Sequence, residues 1–373
     1  MTDRFFLAAL LAVPKLKKPT VRNIISRFEK AEDVWNADTK VLAPFMCGEE
    51  LSALTAFRSK KKNLPEKIFR DCEEKHINVL IRDDEEYPKI LKEIFNPPML
   101  LFCKGTLKPD VPRIAMVGSR RATAYGRHAA EELGAELASY GLTVVSGAAR
   151  GIDTASHKGA LKTGHTVAVL GCGIDVAYPP ENEKLLEMIA ETGAVISEYA
   201  PGTSPRSGFF PARNRIISGL SMGTVVVEAA EHSGSLITAE LALSDGRDVF
   251  AVPGSIYSAL SEGTNRLIQQ GAKLVRSGKD VISEYPMFSD ILNENKSKSY
   301  ADESIPEGLS DEEKKVYGIL SPERGMTADE IIYALHGGSG AANVAFLLLQ
   351  MELRGFIEED ENHAYTRAVK EAH

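Results

Sequence analysis

The strongest constraint on what this chain can fold into lies between about Val111 and Tyr285, where short apolar runs alternate with longer amphipathic ones. Six runs have the length and composition of buried strands: Ile114–Val117, Thr143–Ser146, Val167–Leu170, Val195–Ser197, Thr224–Val227 and Val249–Val252. Between them, Tyr125–Tyr140, Thr154–Lys162, Glu183–Glu191, Asn214–Leu220 and Leu236–Leu243 carry helical spacing. Alternation of this kind predicts an α/β fold, a mostly parallel sheet covered by helices on both faces.

At 373 residues the chain is too long for one ordinary domain, and the flanks read differently from the middle. Residues 1–80 form an N-terminal helical domain, with apolar residues at helical spacing in Phe5–Val13, Pro19–Phe28, Glu49–Phe57 and Pro65–Lys75. The main domain is 81–285. Its lead-in, 81–110, contains Asn96-Pro97-Pro98 and a short strand at Met99–Cys103. Residues 286–310 are a polar linker. In 311–373 the order is helix Asp311–Leu320, helix Ala328–Leu335, helix Ala341–Arg354 and a hairpin across Asp360-Glu361-Asn362. Thr327 and Glu330 make a capping box for the second of these helices, and three helices followed by a β-wing describe a winged helix.

Phe5–Val13 is too short to cross a bilayer, and the lysines at 15, 17 and 18 do not suit a cleavage site. Cys47, Cys72, Cys103 and Cys172 are scattered without metal-ligand spacing, as expected in a reducing cytoplasm. A formal net charge of -8 is unusual for a nucleic-acid binder, so distribution matters more than total. Arg113, Arg120, Arg121, Arg127 and Arg150 crowd the first half of the main domain, and the stretch from Arg206 to Arg215 has no acid. The acids gather elsewhere, as in Asp311-Glu312-Glu313 and Glu358-Glu359-Asp360-Glu361.

Open parallel sheets bind ligands at the carboxyl ends of their strands. Here those ends lead into Gly118-Ser119-Arg120, Gly147-Ala148-Ala149-Arg150-Gly151, Gly171-Cys172-Gly173, Ser233-Gly234-Ser235 and Pro253-Gly254. Any one glycine is explained by a tight strand–helix turn. Several such loops on one rim, two of them carrying an arginine, point instead to a phosphate clamp. The dinucleotide fingerprint fails, because Val176 stands where a third glycine belongs. A P-loop near-miss at Gly159–Thr166 has His165 in place of lysine and precedes a strand.

Phe209-Phe210-Pro211-Ala212-Arg213-Asn214-Arg215 adds two aromatics ahead of an arginine pair that is expected to open a helix. Aromatic faces stack bases while arginines hold the backbone, which suits a single strand. The bland alternative is that the phenylalanines pack in the core and one arginine pairs with a carboxylate. No nucleophile elbow or metalloprotease motif is present, and His128, His157 and His232 are isolated. Glu198 and Glu228, at strand ends, are the best acid–base candidates for an enzyme.

Taken together, Gly118-Ser119-Arg120, Ser146–Asp153, Phe210–Ser221, Ser233–Ala239 and Val249–Gly254 resemble the DNA-processing protein A (DprA/Smf) family. That resemblance implies an extended Rossmann-like sheet, an N-terminal domain of the SAM or helix-hairpin-helix kind, and a C-terminal winged helix. It implies a cytoplasmic homodimer that binds single-stranded DNA during natural transformation and recombination, protects the incoming strand and helps load RecA, with no cofactor, metal or catalysis. The residues expected to bind DNA are Gly118, Ser119, Arg120, Gly147, Arg150, Gly151, Phe210, Arg213, Asn214, Arg215, Ser233, Gly234 and Ser235, and the resemblance implies phosphate contacts from Arg120 and from basic residues near Arg213 and Arg215. Two departures stand out. The hairpin Pro14-Lys15-Leu16-Lys17-Lys18 has lysines where relatives have glycines, and Pro180 follows Tyr178-Pro179 where several relatives have a basic residue. The competing function is a Rossmann-like enzyme cleaving nucleoside monophosphates, for which Ser233–Glu240 would be the catalytic loop. A weaker third reading is a sensor of free nucleotide.

Overall fold

The computed structural model describes residues 2–289, 308–320, 325–335, 341–359 and 363–368. Two compact units, Met1–Glu284 and Tyr285–His373, make up the chain. In the first, nine strands form one sheet: β1 (Asn78–Ile81), β2 (Leu100–Gly105), β3 (Arg113–Val117), β4 (Thr143–Ser146), β5 (Thr166–Gly173), β6 (Ala194–Tyr199), β7 (Gly223–Val226), β8 (Asp248–Ala251) and β9 (Lys273–Leu274). Their order is β1-β2-β6-β5-β4-β3-β7-β8-β9. All neighbours from β6 to β9 are parallel, and the lead-in strands β1 and β2 add to β6 antiparallel.

The continuous apolar runs follow from burial on both faces. Leu100 and Phe102 of β2 and Ala168, Leu170 and Cys172 of β5 enter one core, while Leu101, Cys103, Val167 and Val169 enter the other. The first core is shared with the N-terminal helices α1 (Asp3–Leu11), α2 (Lys18–Phe28), α3 (Ala31–Asn36), α4 (Thr39–Leu42), α5 (Gly48–Lys60) and α6 (Leu64–Glu74). Phe5, Leu10, Ile24, Trp35, Leu54 and Ile68 are buried there. At the α1–α2 turn Lys15 is held at φ +66°. The Lys17 N–H of this turn donates to Glu50 at 3.1 Å, and the Lys15 side chain pairs with Glu49 at 2.8 Å.

After a short α7 (Lys89–Lys92), the crossovers are α8 (Ala124–Ser139), α9 (Ile152–Thr163), α10 (Glu183–Thr192), α11 (Phe209–Gly219), α12 (Gly234–Ser244) and α13 (Glu262–Gln269), and α14 (Gly278–Ile282) follows β9. One expectation needs correction. Helix α11 begins at Phe209, five residues before Asn214, because Pro211 sits in the first turn, where no intrahelical N–H is required.

The second unit holds helices α15 (Asp311–Ile319), α16 (Ala328–Ala334) and α17 (Ala341–Leu353), with strands β10 (Met326–Thr327), β11 (Ile357–Glu359) and β12 (Ala364–Arg367). These strands form an antiparallel sheet in the order β10-β12-β11. The Thr327–Glu330 capping box is present. The expected turn residues 360–362 lie outside the described residues.

Candidate nucleic-acid interface

Strand β3 pairs with β4 on one side and β7 on the other, so the chain winds in opposite directions from this point. A cavity of about 990 Å³ opens at that reversal, where an open sheet leaves a crevice. Gly118, Ser119 and Arg120 line it from the end of β3, Asp153 from the start of α9, and Ser233, Gly234 and Ser235 from the start of α12. Phe210, Arg213 and Asn214 complete the sequence-derived set, from α11. Gly147, Arg150, Gly151 and Arg215 are not among its lining residues.

The aromatic and basic groups meet on one wall. The exposed Arg120 guanidinium lies 5.3 Å from the centre of the Phe210 ring, and Tyr178 lies 5.4 Å from it on a tilted plane. Phe209, the other half of the pair, stacks on Tyr199 at 4.1 Å with Arg206 5.6 Å from its ring. Opposite, Ser233 caps α12 by accepting from the Ser235 N–H at 3.3 Å. A Cβ at Gly234 would meet nothing, so a ligand can approach this helix start freely. Asn214 ties the two elements together, donating to the Gly234 carbonyl at 3.4 Å.

The other loop glycines have a different role from the one expected. A Cβ at Gly151 would strike the Ser119 carbonyl, and one at Gly118 would strike the Ile152 side chain. These glycines let two loops approach each other and so shape the rim without opening it to a ligand. Gly147 leaves room for the Arg213 guanidinium, 4% exposed, which donates to the carbonyls of Gly147 and Val169. Burial lowers the Arg213 pKa to about 10 and raises that of the buried Asp153 carboxyl above the usual carboxylate range. Arg213 Nε finds no partner among the described residues.

Arg150, exposed on the rim, pairs with Glu181, with Nη2 3.1 Å from the carboxylate. Arg215 is turned away from the cavity and bonded to Glu198. Neither proposed catalytic carboxylate lines the cavity: Glu198 binds Arg215, and Glu228 caps the start of α8 through the Thr123 N–H at 2.9 Å. Glu240 is exposed and also outside the lining. Buried His157 bonds Thr166 at 2.7 Å, and burial pushes its pKa down to about 3. His232, by contrast, does line the cavity.

Tyr178, Arg206 and His232 were absent from the sequence-derived set. The acid-free stretch before α11 was a usable signal for Arg206, since it lies at that stretch's start. Among the described residues there is no cluster of metal-ligating side chains, and no helix is long and apolar enough to cross a membrane.

The model of the family described as DNA recombination-mediator protein A matches residues 78–286, which contain the whole cavity lining. The DNA processing protein DprA of Streptococcus pneumoniae is 50% identical over 204 residues, covering 54% of this chain and 72% of that protein. A crystal structure of DprA from the same species superposes with a TM-score of 0.65 at 37% identity, covering 76% of this chain and 98% of that one. DNA processing protein A from Helicobacter pylori, whose structure was described for its single-stranded DNA binding mode, gives a TM-score of 0.52 at 33% identity over 57% of this chain and 96% of that one. The chain therefore belongs to the DNA recombination-mediator protein A family.

Proposed function

We propose that this protein binds single-stranded DNA in the cavity at the β3–β7 reversal, serving natural transformation and recombination without catalysing a reaction. The observation that carries this reading is the convergence on one cavity of Arg120 over Phe210, Tyr178 beside it, and the open start of α12. Bases stack on the half-buried Phe210 and the exposed Tyr178. Phosphates lie against Arg120, Arg206 and the N–H groups around Ser233-Gly234-Ser235. Arg213 and Gly147 set the shape of the floor, and Gly118, Ser119, Gly151 and Asn214 set the spacing of the loops. Arg150 reaches the strand only by leaving Glu181.

In this reading the protein is a cytoplasmic homodimer that shields the incoming strand and hands it to RecA. The N-terminal helices are of the SAM or helix-hairpin-helix kind, acting as a brace. The C-terminal unit is a winged helix, supported by its helix–strand–helix–helix–hairpin order. The test is protection: an end-labelled single strand should survive an exonuclease with the native chain and be digested with an Arg120→Ala/Phe210→Ala variant. Equal protection by both overturns the proposal. Release of free base from nucleoside monophosphates would favour the enzyme reading.

A further inference from the structure

One buried polar cluster lies outside the cavity and is left unexplained by DNA contact. Glu198, 9% exposed near the end of β6, takes Arg215 Nη2 on both carboxylate oxygens at 2.6 Å and Lys18 Nζ on Oε2 at 2.7 Å. None of the three lines the cavity. Arg215 belongs to α11, and Lys18 opens α2 in the N-terminal layer, so one carboxylate joins three elements distant in sequence.

Two observations make the cluster more than a fold contact. A cation in the first turn of a helix faces the positive end of the backbone dipole, so the stability of α2 does not account for Lys18. The Arg215 Nη1, buried, finds no partner among the described residues, where Glu198 is the carboxylate that compensates this guanidinium. The neighbouring Tyr199 grips the same helix by stacking on Phe209. Strand β6 thus holds α11 at its first residue and again at its seventh. The cavity residues Phe210, Arg213 and Asn214 all fall between those two anchors.

We propose that Glu198 is the positioning residue of the DNA site, fixing the rotation of α11 through Arg215, and that Lys18 lets the N-terminal helices act on that site through Glu198. This rests on the cavity being the strand site. Without the carboxylate, two cations lose their counter-charge and α11 must turn to bring Arg215 to water. Phe210 then leaves its place beside Tyr178, and base stacking is lost.

The experiment uses the full chain and an oligothymidine carrying one 2-aminopurine, whose fluorescence is quenched by stacking. Glu198→Gln should weaken binding by about tenfold or more, through displacement of α11 and not through a lost contact to the strand. It should also reduce the quench at saturating protein while the thermal transition stays cooperative. Lys18→Met should weaken binding less, and the double variant should match Glu198→Gln alone. Native affinity and quench in Glu198→Gln overturn the proposal. So do additive losses in the double variant with a shallower salt dependence for Lys18→Met, which would place Lys18 on the strand itself. Should Glu198→Gln not fold, Glu198→Asp carries the same comparison, its shorter arm being expected to lose part of the quench. If the native chain binds no strand, the cavity reading fails on its own. Amide exchange across residues 209–219 then judges the clamp, with faster exchange in Glu198→Gln supporting it and unchanged exchange overturning it.

Discussion

Arg213 reaches back beneath Gly147, donating to its carbonyl at 2.9 Å through a space that a Cβ at 147 would fill, 2.5 Å from the guanidinium. One pair of residues therefore fixes the cavity floor, joining α11 to the ends of β4 and β5. Gly147→Ala should push the guanidinium aside and break hydrogen bonds worth about 1.5–3 kcal/mol each. A lowered thermal midpoint together with weaker single-strand binding is the expected result. Arg213→Ala should do the same, and an unchanged midpoint in both variants would contradict the assignment.

Arg120 is the opposite case. Its guanidinium is exposed above Phe210 and makes no hydrogen bond or ion pair among the described residues, although its charge is felt by the buried Asp153. Arg120→Ala should leave thermal unfolding unchanged and weaken strand binding by about tenfold to a hundredfold, the value of one charge-assisted contact. Fluorescence anisotropy beside a melting curve separates the two arginines. Unfolding of the Arg120 variant would show that its contact is structural.

The difference between these arginines marks where the sequence stopped being informative. All six expected strands of the main sheet are present, because runs buried on both faces leave an apolar signal that needs no partner to be read. The edge strands β1 and β9 escaped notice: the apolar run Val79-Leu80-Ile81 of β1 straddles the expected domain boundary at residue 80, and β9 is only two residues long. Nine of the thirteen expected site residues line one cavity, because the strand ends they follow converge at the winding reversal. What failed was direction. Taking Asn214 as the start of α11 puts the arginines at an open helix end. Starting at Phe209 sets Arg213, Ile216 and Ile217 on one buried face at i, i+3 and i+4. No local pattern showed that Arg215 would meet Glu198 or that Gly147 would make room for Arg213, since both are long-range contacts.

The N-terminal turn offers a pH test. Burial works against the charged carboxylate of Glu50, but the Thr20 hydroxyl at 2.7 Å and the N–H groups of Lys17 and Cys47 overcome it and hold its pKa at about 2. That lies below the unfolded value of about 4.3, so the stabilisation is fully present above that pH and is lost as pH falls toward 2. Glu50→Gln should cost on the order of 2 kcal/mol at pH 7, with the difference from the native chain shrinking below pH 4. A deficit equally large near pH 2 would contradict this account of the turn.

The second unit should contribute little to strand affinity. Arg354, the cation just beyond α17, is bonded to Glu313 at 2.8 Å and lies over Phe356, and β11 carries the exposed Glu358 and Glu359. Phosphates meet like charge on that strand. Truncation after Glu284 leaves the first unit and its cores complete. Single-strand affinity should then change by less than about tenfold. A larger loss in a folded, truncated protein would make this unit a DNA-binding element.

The central claim, a single-strand site built from stacking and phosphate contacts, is tested most directly by one titration series. Single-stranded and duplex oligonucleotides of equal length are titrated across a range of salt concentrations. The account predicts single-strand preference of about tenfold or more and a log–log salt slope near -0.7 per phosphate held, shallower by about one phosphate in Arg120→Ala. Equal affinity for duplex and single strand at matched salt, or a slope untouched by Arg120→Ala, would contradict it.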